Sequence, residues 1–163
     1  MTSRYIVVGP DSANAATDAA HELATALSAR GTLARIDALA GTTPSAAATS
    51  SASALPAAVE AVRAADADFV LIDGVVAGEA RTFDAIRWNV NLAASARANV
   101  ILVLDPEGVP AELLTEEINV FAARCKSHQA QLVAVILPGA PTDLGVDVPV
   151  FSLPLSDEAL KTL

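Results

Sequence analysis

Aromatic residues and lysines are both scarce in this chain. Phe, Trp and Tyr together make up 4% of 163 residues, with a single Trp and a single Tyr. A core short of large rings must be filled by aliphatic side chains and alanine, and hydrophobic residues reach 53%. Alanine-rich helices can lie close to something flat, such as a sheet. Lysine occurs only at Lys126 and Lys161, and the formal net charge is -9. Such a chain repels nucleic acid and anionic membranes, which sets both aside as partners. The single cysteine, Cys125, excludes an intramolecular disulfide and suits a reducing compartment. No basic segment precedes an apolar run at the N-terminus, so no signal peptide is read there. The longest apolar runs span about five or six residues, against the ~20 that a membrane helix needs. The expectation is a cytoplasmic protein, long enough for one domain with a well-buried core.

What is present is alternation. Short apolar runs at Tyr5–Val8, Leu33–Ile36, Phe69–Ile72, Val100–Leu104, Leu132–Leu137 and Val148–Leu153 are separated by helical patterns. The patterns lie at about Asn14–Ala29, Leu55–Ala65, Thr82–Ala98 and Pro110–Lys126, with Gly31, Pro56, Gly78, Pro106 and Gly108 as breakers. Continuous rather than alternating apolar runs suit strands buried on both faces. The expected fold is α/β: three layers, helix, sheet and helix, around a mostly parallel sheet of about six strands. Ala40–Pro56 is rich in Ala, Ser and Thr and reads as a mobile surface loop, with a ligand-gated lid as the alternative. Pro138–Pro149 joins the last two strands. Beyond them only one turn of helix is expected, and the chain looks cut at a domain boundary.

The first strand ends at Gly9, a short polar loop follows, and a long helix begins: the outline of a phosphate-binding loop. A working loop needs G-x-x-x-x-G-K-[ST], in which the glycines let N–H groups wrap phosphate, the lysine reaches its oxygens and the hydroxyl holds Mg²⁺. With Gly9 as the first glycine, Asn14 takes the second position, Ala15 the lysine and Ala16 the hydroxyl. A one-residue slip brings Thr17 to the hydroxyl position, but no lysine precedes Lys126. Arg4 precedes the strand and points away from the loop. Pro10 removes a further N–H donor, and Asp11 and Asp18 would oppose a bound anion. The plain reading is an ordinary strand–helix connection. Gly9, Ser12, Asn14, Thr17 and Asp73 are the only candidates for a nucleotide or cofactor contact.

Asp73 ends the run FVLID at a place where α/β proteins bind ligands. It is either a ligand to Mg²⁺ or a cap of its own turn. A phospho-acceptor receiver would also need an acid pair after the first strand and a lysine after the fifth, and LVAVILPGAP has none. His21 reads as a helix-surface residue and His128 as a residue at a helix C-terminus. Neither has a second ligand at metal spacing, so no metal site is expected, and no catalytic residue is either. Cys125 reads as a small buried residue. Trp88, near Phe83, Arg87 and Asn91, reads as core packing. The alternative makes Trp88, Arg87 and Asn91 an interface between subunits.

The order of these pieces resembles a known family. A degenerate phosphate loop comes first, then a strand ending acid–Gly (VLIDG). A helix carrying NVNLAASARA (Asn89–Ala98) follows, then VILVLD (Val100–Asp105). EINVFAARCKSHQAQLVAVILP (Glu117–Pro138) and PVFSLPLSDEAL (Pro149–Leu160) close the chain. Together they resemble the N-terminal domain of the long form of phosphate acetyltransferase, which is similar in fold to dethiobiotin synthetase. In that family, acetyl transfer between coenzyme A and phosphate belongs to a separate C-terminal domain that nothing here matches. The resemblance implies a P-loop-NTPase-like, dethiobiotin synthetase-like fold and a regulatory or oligomer-assembly role without a cofactor. The partners it implies are the rest of the same polypeptide, other subunits, and an effector such as NADH, pyruvate or phosphoenolpyruvate. Two other readings stay open: a stand-alone partner-binding module, and an ATP-dependent enzyme of the dethiobiotin synthetase type.

Overall fold

A computed structural model describes residues 1–10, 13–76, 83–139 and 143–163. In chain order the elements are β1 (Ser3–Val8), α1 (Ala13–Ser28), β2 (Leu33–Asp37), α2 (Pro44–Thr49), α3 (Ser51–Ala64), β3 (Phe69–Asp73), α4 (Ala85–Ala96), β4 (Asn99–Val103), α5 (Ala111–Ser127), β5 (Gln131–Ile136), β6 (Val150–Phe151) and α6 (Asp157–Thr162). The described strands form one sheet in the order β2-β3-β1-β4-β5-β6. Every pairing in it is parallel.

This order dictates the layers. The chain steps once toward the β2 edge and thereafter always toward β6. Right-handed crossovers therefore put α1 alone on one face and the later helices on the other. The packing follows. Tyr5, Val7, Leu71, Ile101 and Ile136 meet Ala16, Ala19, Ala20, Leu23 and Leu27 of α1. Ile6, Val8, Val70, Ile72, Val100 and Leu102 meet Val62 of α3, Leu92 and Ala93 of α4, and Ile118 and Phe121 of α5. Strand side chains alternate between faces, which is why the runs of the central strands β1, β3, β4 and β5 are apolar throughout. At the β4–β5 pair the register shifts: Val100 pairs with Leu132, but Ile101 pairs with Ala134. The extra residue, Val133, is a β-bulge.

The described residues of the link from β5 to β6 hold no helix; Leu144, Val146 and Val148 pack on the face that carries α3, α4 and α5. The C-terminal segment returns to the α1 face, where Leu153, Leu155 and Leu163 pack. Three polar contacts fasten it there. Leu155 N–H donates to Glu22 at 2.9 Å, Arg30 Nη1 donates to the Leu160 carbonyl at 2.8 Å, and the Tyr5 hydroxyl donates to the Leu163 carbonyl.

Several expectations are corrected. Ala40–Pro56 is not a loop: it holds α2 and the start of α3. Thr43 caps α2 by accepting from Ala46 N–H at 3.2 Å, and Ala47 is fully buried, so a helix is anchored where composition suggested a mobile loop. Pro56 does not open a helix but sits inside α3, on an exposed face where the missing N–H donor is tolerated. Arg4 lies within β1 rather than ahead of it. The last strand shrinks to Val150–Phe151, bracketed by Pro149 and Pro154. The α4 helix starts later than expected, behind an Asp84 N-cap, and Gly78 and Thr82 lie outside the described residues. No described helix is long and apolar enough to cross a membrane.

Candidate functional site

The carboxyl ends of the strands form the rim where ligands of open α/β sheets bind. At this rim β1 ends in Gly9, which is buried. Ser12 lies outside the described residues. Asn14 and Thr17 are exposed on the first turns of α1. The Thr17 hydroxyl donates to the Ala13 carbonyl at 2.7 Å. Thr17, Asp73 and Gly74 line one cavity of about 50 Å³, room for a few waters, since one takes roughly 10–15 Å³. The structure thus brings together the two residues that a loop hydroxyl and a metal-orienting acid would require. Lys126 and Lys161 do not join them. Lys126 ends α5 and borders the start of β5, at the opposite edge of the sheet, and Lys161 lies in the C-terminal α6.

Among the described residues the Asp73 side chain caps no turn, and it does not stand free. Its carboxylate accepts from Arg35 Nε at 2.7 Å and from Arg35 Nη2 at 2.8 Å. Arg35 is the middle residue of β2 and pairs in register with Leu71, while Asp73 pairs with Asp37. The guanidinium therefore reaches one residue pair along the sheet, on the α1 face. The Asp73 hydrogen bond raises the Arg35 pKa above its usual value, partial burial works against this, and the Asp73 charge adds to it. The pair is partly solvated, with side chains 41% and 34% exposed.

A divalent cation is what the fold class would place here with a nucleotide. The donor set does not fit one. Both Asp73 oxygens accept from a guanidinium, and no group of three His, Cys, Asp or Glu among the described residues could hold a metal.

Beside Asp73 the backbone is tightly specified. A Cβ on Gly74 would stand 2.3 Å from the Val7 carbonyl oxygen, which accepts from Gly74 N–H at 2.9 Å. Asn89, fully buried in α4, donates from Nδ2 to the Val75 carbonyl and accepts from Val75 N–H, both at 2.8 Å. One residue earlier, Trp88 Nε1 donates to the Ala38 carbonyl at 3.0 Å, beyond the end of β2. Two consecutive side chains of α4 therefore hold the ends of β2 and β3.

Trp88 is 5% exposed, a core residue that stacks at a tilt on Phe83. With Arg87 and Asn91 it borders an open groove of about 350 Å³ between α4 and the α2–α3 pair. Cys125 is buried, and desolvation pushes its thiol up to about 11. His21 is exposed on α1, and His128 is the C-cap of α5.

Sequence reasoning missed two residues of this region. Arg35 was signalled by a charged side chain inside an otherwise apolar strand. Asn89 heads the NVNLA stretch, but nothing in its spacing says what it holds.

No family model and no curated protein matches the chain. Among solved structures it is similar to a nucleotide-binding protein from Archaeoglobus fulgidus in complex with ADP. The TM-score is 0.53 at 12% identity, over 98% of this chain and 84% of that one. The fold is P-loop-NTPase-like. At this identity the likeness is one of architecture.

Proposed function

We propose that this chain is a catalytically silent P-loop-like domain serving regulation or oligomer assembly, and that its parent protein is a phosphate acetyltransferase. The observation that carries the silent reading is the absence of any lysine at the loop. Without one, nothing there offsets the charge of a nucleotide's β and γ phosphates. The parent reaction, transfer of an acetyl group between coenzyme A and phosphate, is carried by the sequence pattern from VLIDG to LVAVILP and belongs to a separate domain. Assembly is favoured by α5. Leu113 and Val120 are its exposed large hydrophobics, at 53% and 64% exposure, and their seven-residue spacing puts them on one stripe. Two copies packed antiparallel about Val120 would set Glu116 of each against Arg124 of the other, the self-complementary arrangement of a two-fold dimer.

A second reading, nucleotide binding, is favoured by the ADP-bound neighbour alone. A thermal-shift titration separates the two. A ligand at about 100 times its Kd adds about 2.7 kcal/mol, several degrees for a domain of this size. ATP·Mg²⁺ is expected to give no shift, while NADH, pyruvate, phosphoenolpyruvate and coenzyme A probe for an effector site. Stabilisation by ATP·Mg²⁺ would overturn the silent reading.

A further inference from the structure

The groove between α4 and the α2–α3 pair has a chemistry of its own. Its volume of about 350 Å³ lies in the range of small-molecule sites. Leu55, Phe83 and Trp88 give it an apolar, partly aromatic floor, and Asp84, Arg87 and Asn91, from the start of α4, line it too. Arg87 follows Asp84 by three positions and precedes Asn91 by four, so the three share one side of the helix. Opposite charges so placed can pair; these do not. One Asp84 oxygen accepts from Arg87 N–H at 2.9 Å and so caps the helix. Among the described residues the Arg87 guanidinium, the Asn91 amide and the other Asp84 oxygen have no partner. A cation, an anion and an amide therefore stand free beside an apolar floor.

We propose that this groove binds a free α-amino acid with an apolar side chain. Charge decides the class. One cation and one anion leave the lining neutral, which suits a zwitterion and not a nucleotide, whose phosphates would meet Asp84. The ligand's carboxylate matches the planar fork of Arg87, its ammonium group matches Asp84, and its side chain lies on Leu55, Phe83 and Trp88. Asn91 can donate to the one polar group or accept from the other. The groove also bears on the rim. Trp88 donates to the Ala38 carbonyl, and the adjacent Asn89 holds Val75. A ligand seated on the indole therefore acts on the helix that fixes the ends of β2 and β3. Such a site rests on the regulatory reading of the domain and gives it a class of effector.

The test reads the emission of Trp88, the single tryptophan, in the full chain, with thermal shift as a second readout. L-leucine, L-isoleucine, L-valine and L-methionine are titrated in turn. At least one should change the emission saturably and raise the melting temperature. For the tightest binder, the analogue without its ammonium group and the analogue without its carboxylate should each bind at least about tenfold more weakly, the scale of one lost hydrogen bond to a charged group. Asp84→Asn, which keeps the helix cap, and Arg87→Gln should weaken the amino acid by a similar factor. Silence in both readouts for all four amino acids would overturn the proposal. So would an analogue that binds as tightly as its parent, or a folded variant of either residue with wild-type affinity. The analogues act on the wild type, so the answer does not hang on the variants folding. Neither success nor failure here bears on the silent loop, a reading that fails only if ATP·Mg²⁺ stabilises the wild type.

Discussion

Strand β3 is flanked by two aspartates held in different ways. Asp68, just before the strand, is enclosed by its neighbours. Its Oδ2 accepts from Thr32 N–H at 2.9 Å and from the Thr32 hydroxyl at 2.8 Å, and that hydroxyl accepts from Asp68 N–H at 2.9 Å. Gly31 leaves the room: a Cβ there would stand 2.8 Å from Oδ2. Asp73, the last residue of the strand, has no such local ring and is met by the long side chain of Arg35. Both clips join the edge strand β2 to β3. The first is a turn device of short groups at the amino end of the strands. The second lies at the carboxyl rim, where ligands bind, and uses a charge where a turn would suffice. The difference teaches that the two acids bordering one strand are compensated in different ways, by a backbone N–H and a hydroxyl at the amino end and by a full charge at the carboxyl end.

The largest effect should come from Gly74, on the rim side of the comparison. Gly74→Ala drives a methyl group into the Val7 carbonyl, backbone against backbone. It should lose about 3 kcal/mol or more, at the upper end of the overpacking range, in urea unfolding. An alanine variant as stable as the wild type would show that the β1–β3 contact can open freely. Next is Asn89→Leu, which removes both partners of the buried Val75 backbone. Leaving that donor and acceptor unmet should cost roughly 2–3 kcal/mol. A loss of a few tenths would mean that water replaces the amide and that the rim is not held by α4.

Arg35→Gln should do far less to stability. The pair is more than a third exposed on the arginine side, so solvent screening leaves it with about 0.2–1 kcal/mol. A loss well above that range would make Arg35 a structural clip like Thr32, and the contrast between the two ends would collapse. The amino end is distinguished by pH. The hydrogen bond from the Thr32 backbone first, and its hydroxyl second, hold the Asp68 pKa below the usual 3.8. A lowered folded-state pKa adds stability that is present above about pH 4 and lost as pH falls through the folded value. Asp68→Asn should therefore flatten the acid limb of a stability profile recorded from about pH 6 to pH 2. Identical limbs for wild type and variant would deny Asp68 that role.

Most of the architecture was legible because it depends on local pattern. Continuous apolar runs between helical stretches are enough to require a parallel, doubly covered sheet, and all six strands fall where the runs lie, the last one shortened to two residues. The failures have local causes too. Ala40–Pro56 looked like a surface loop because alanine and serine carry no strong amphipathic signal, yet Thr43 and the buried Ala47 turn it into helix. Trp88 was weighed as an interface anchor because an indole on a helix can face either way. Only the neighbouring backbone of Ala38 shows where its N–H goes.

The sequence by itself determined that this is an α/β chain whose first strand–helix loop has no lysine, because apolar period and residue identity are properties of the chain read in order. It also placed Asp73 at a strand end. The tertiary structure decided that β2 lies beside β3 and not beside β1. Strand order follows from how whole crossovers pack, over dozens of residues, and no local pattern encodes it. That one adjacency brings Arg35 to Asp73, 38 positions apart in the chain, and turns a candidate metal ligand into half of an ion pair.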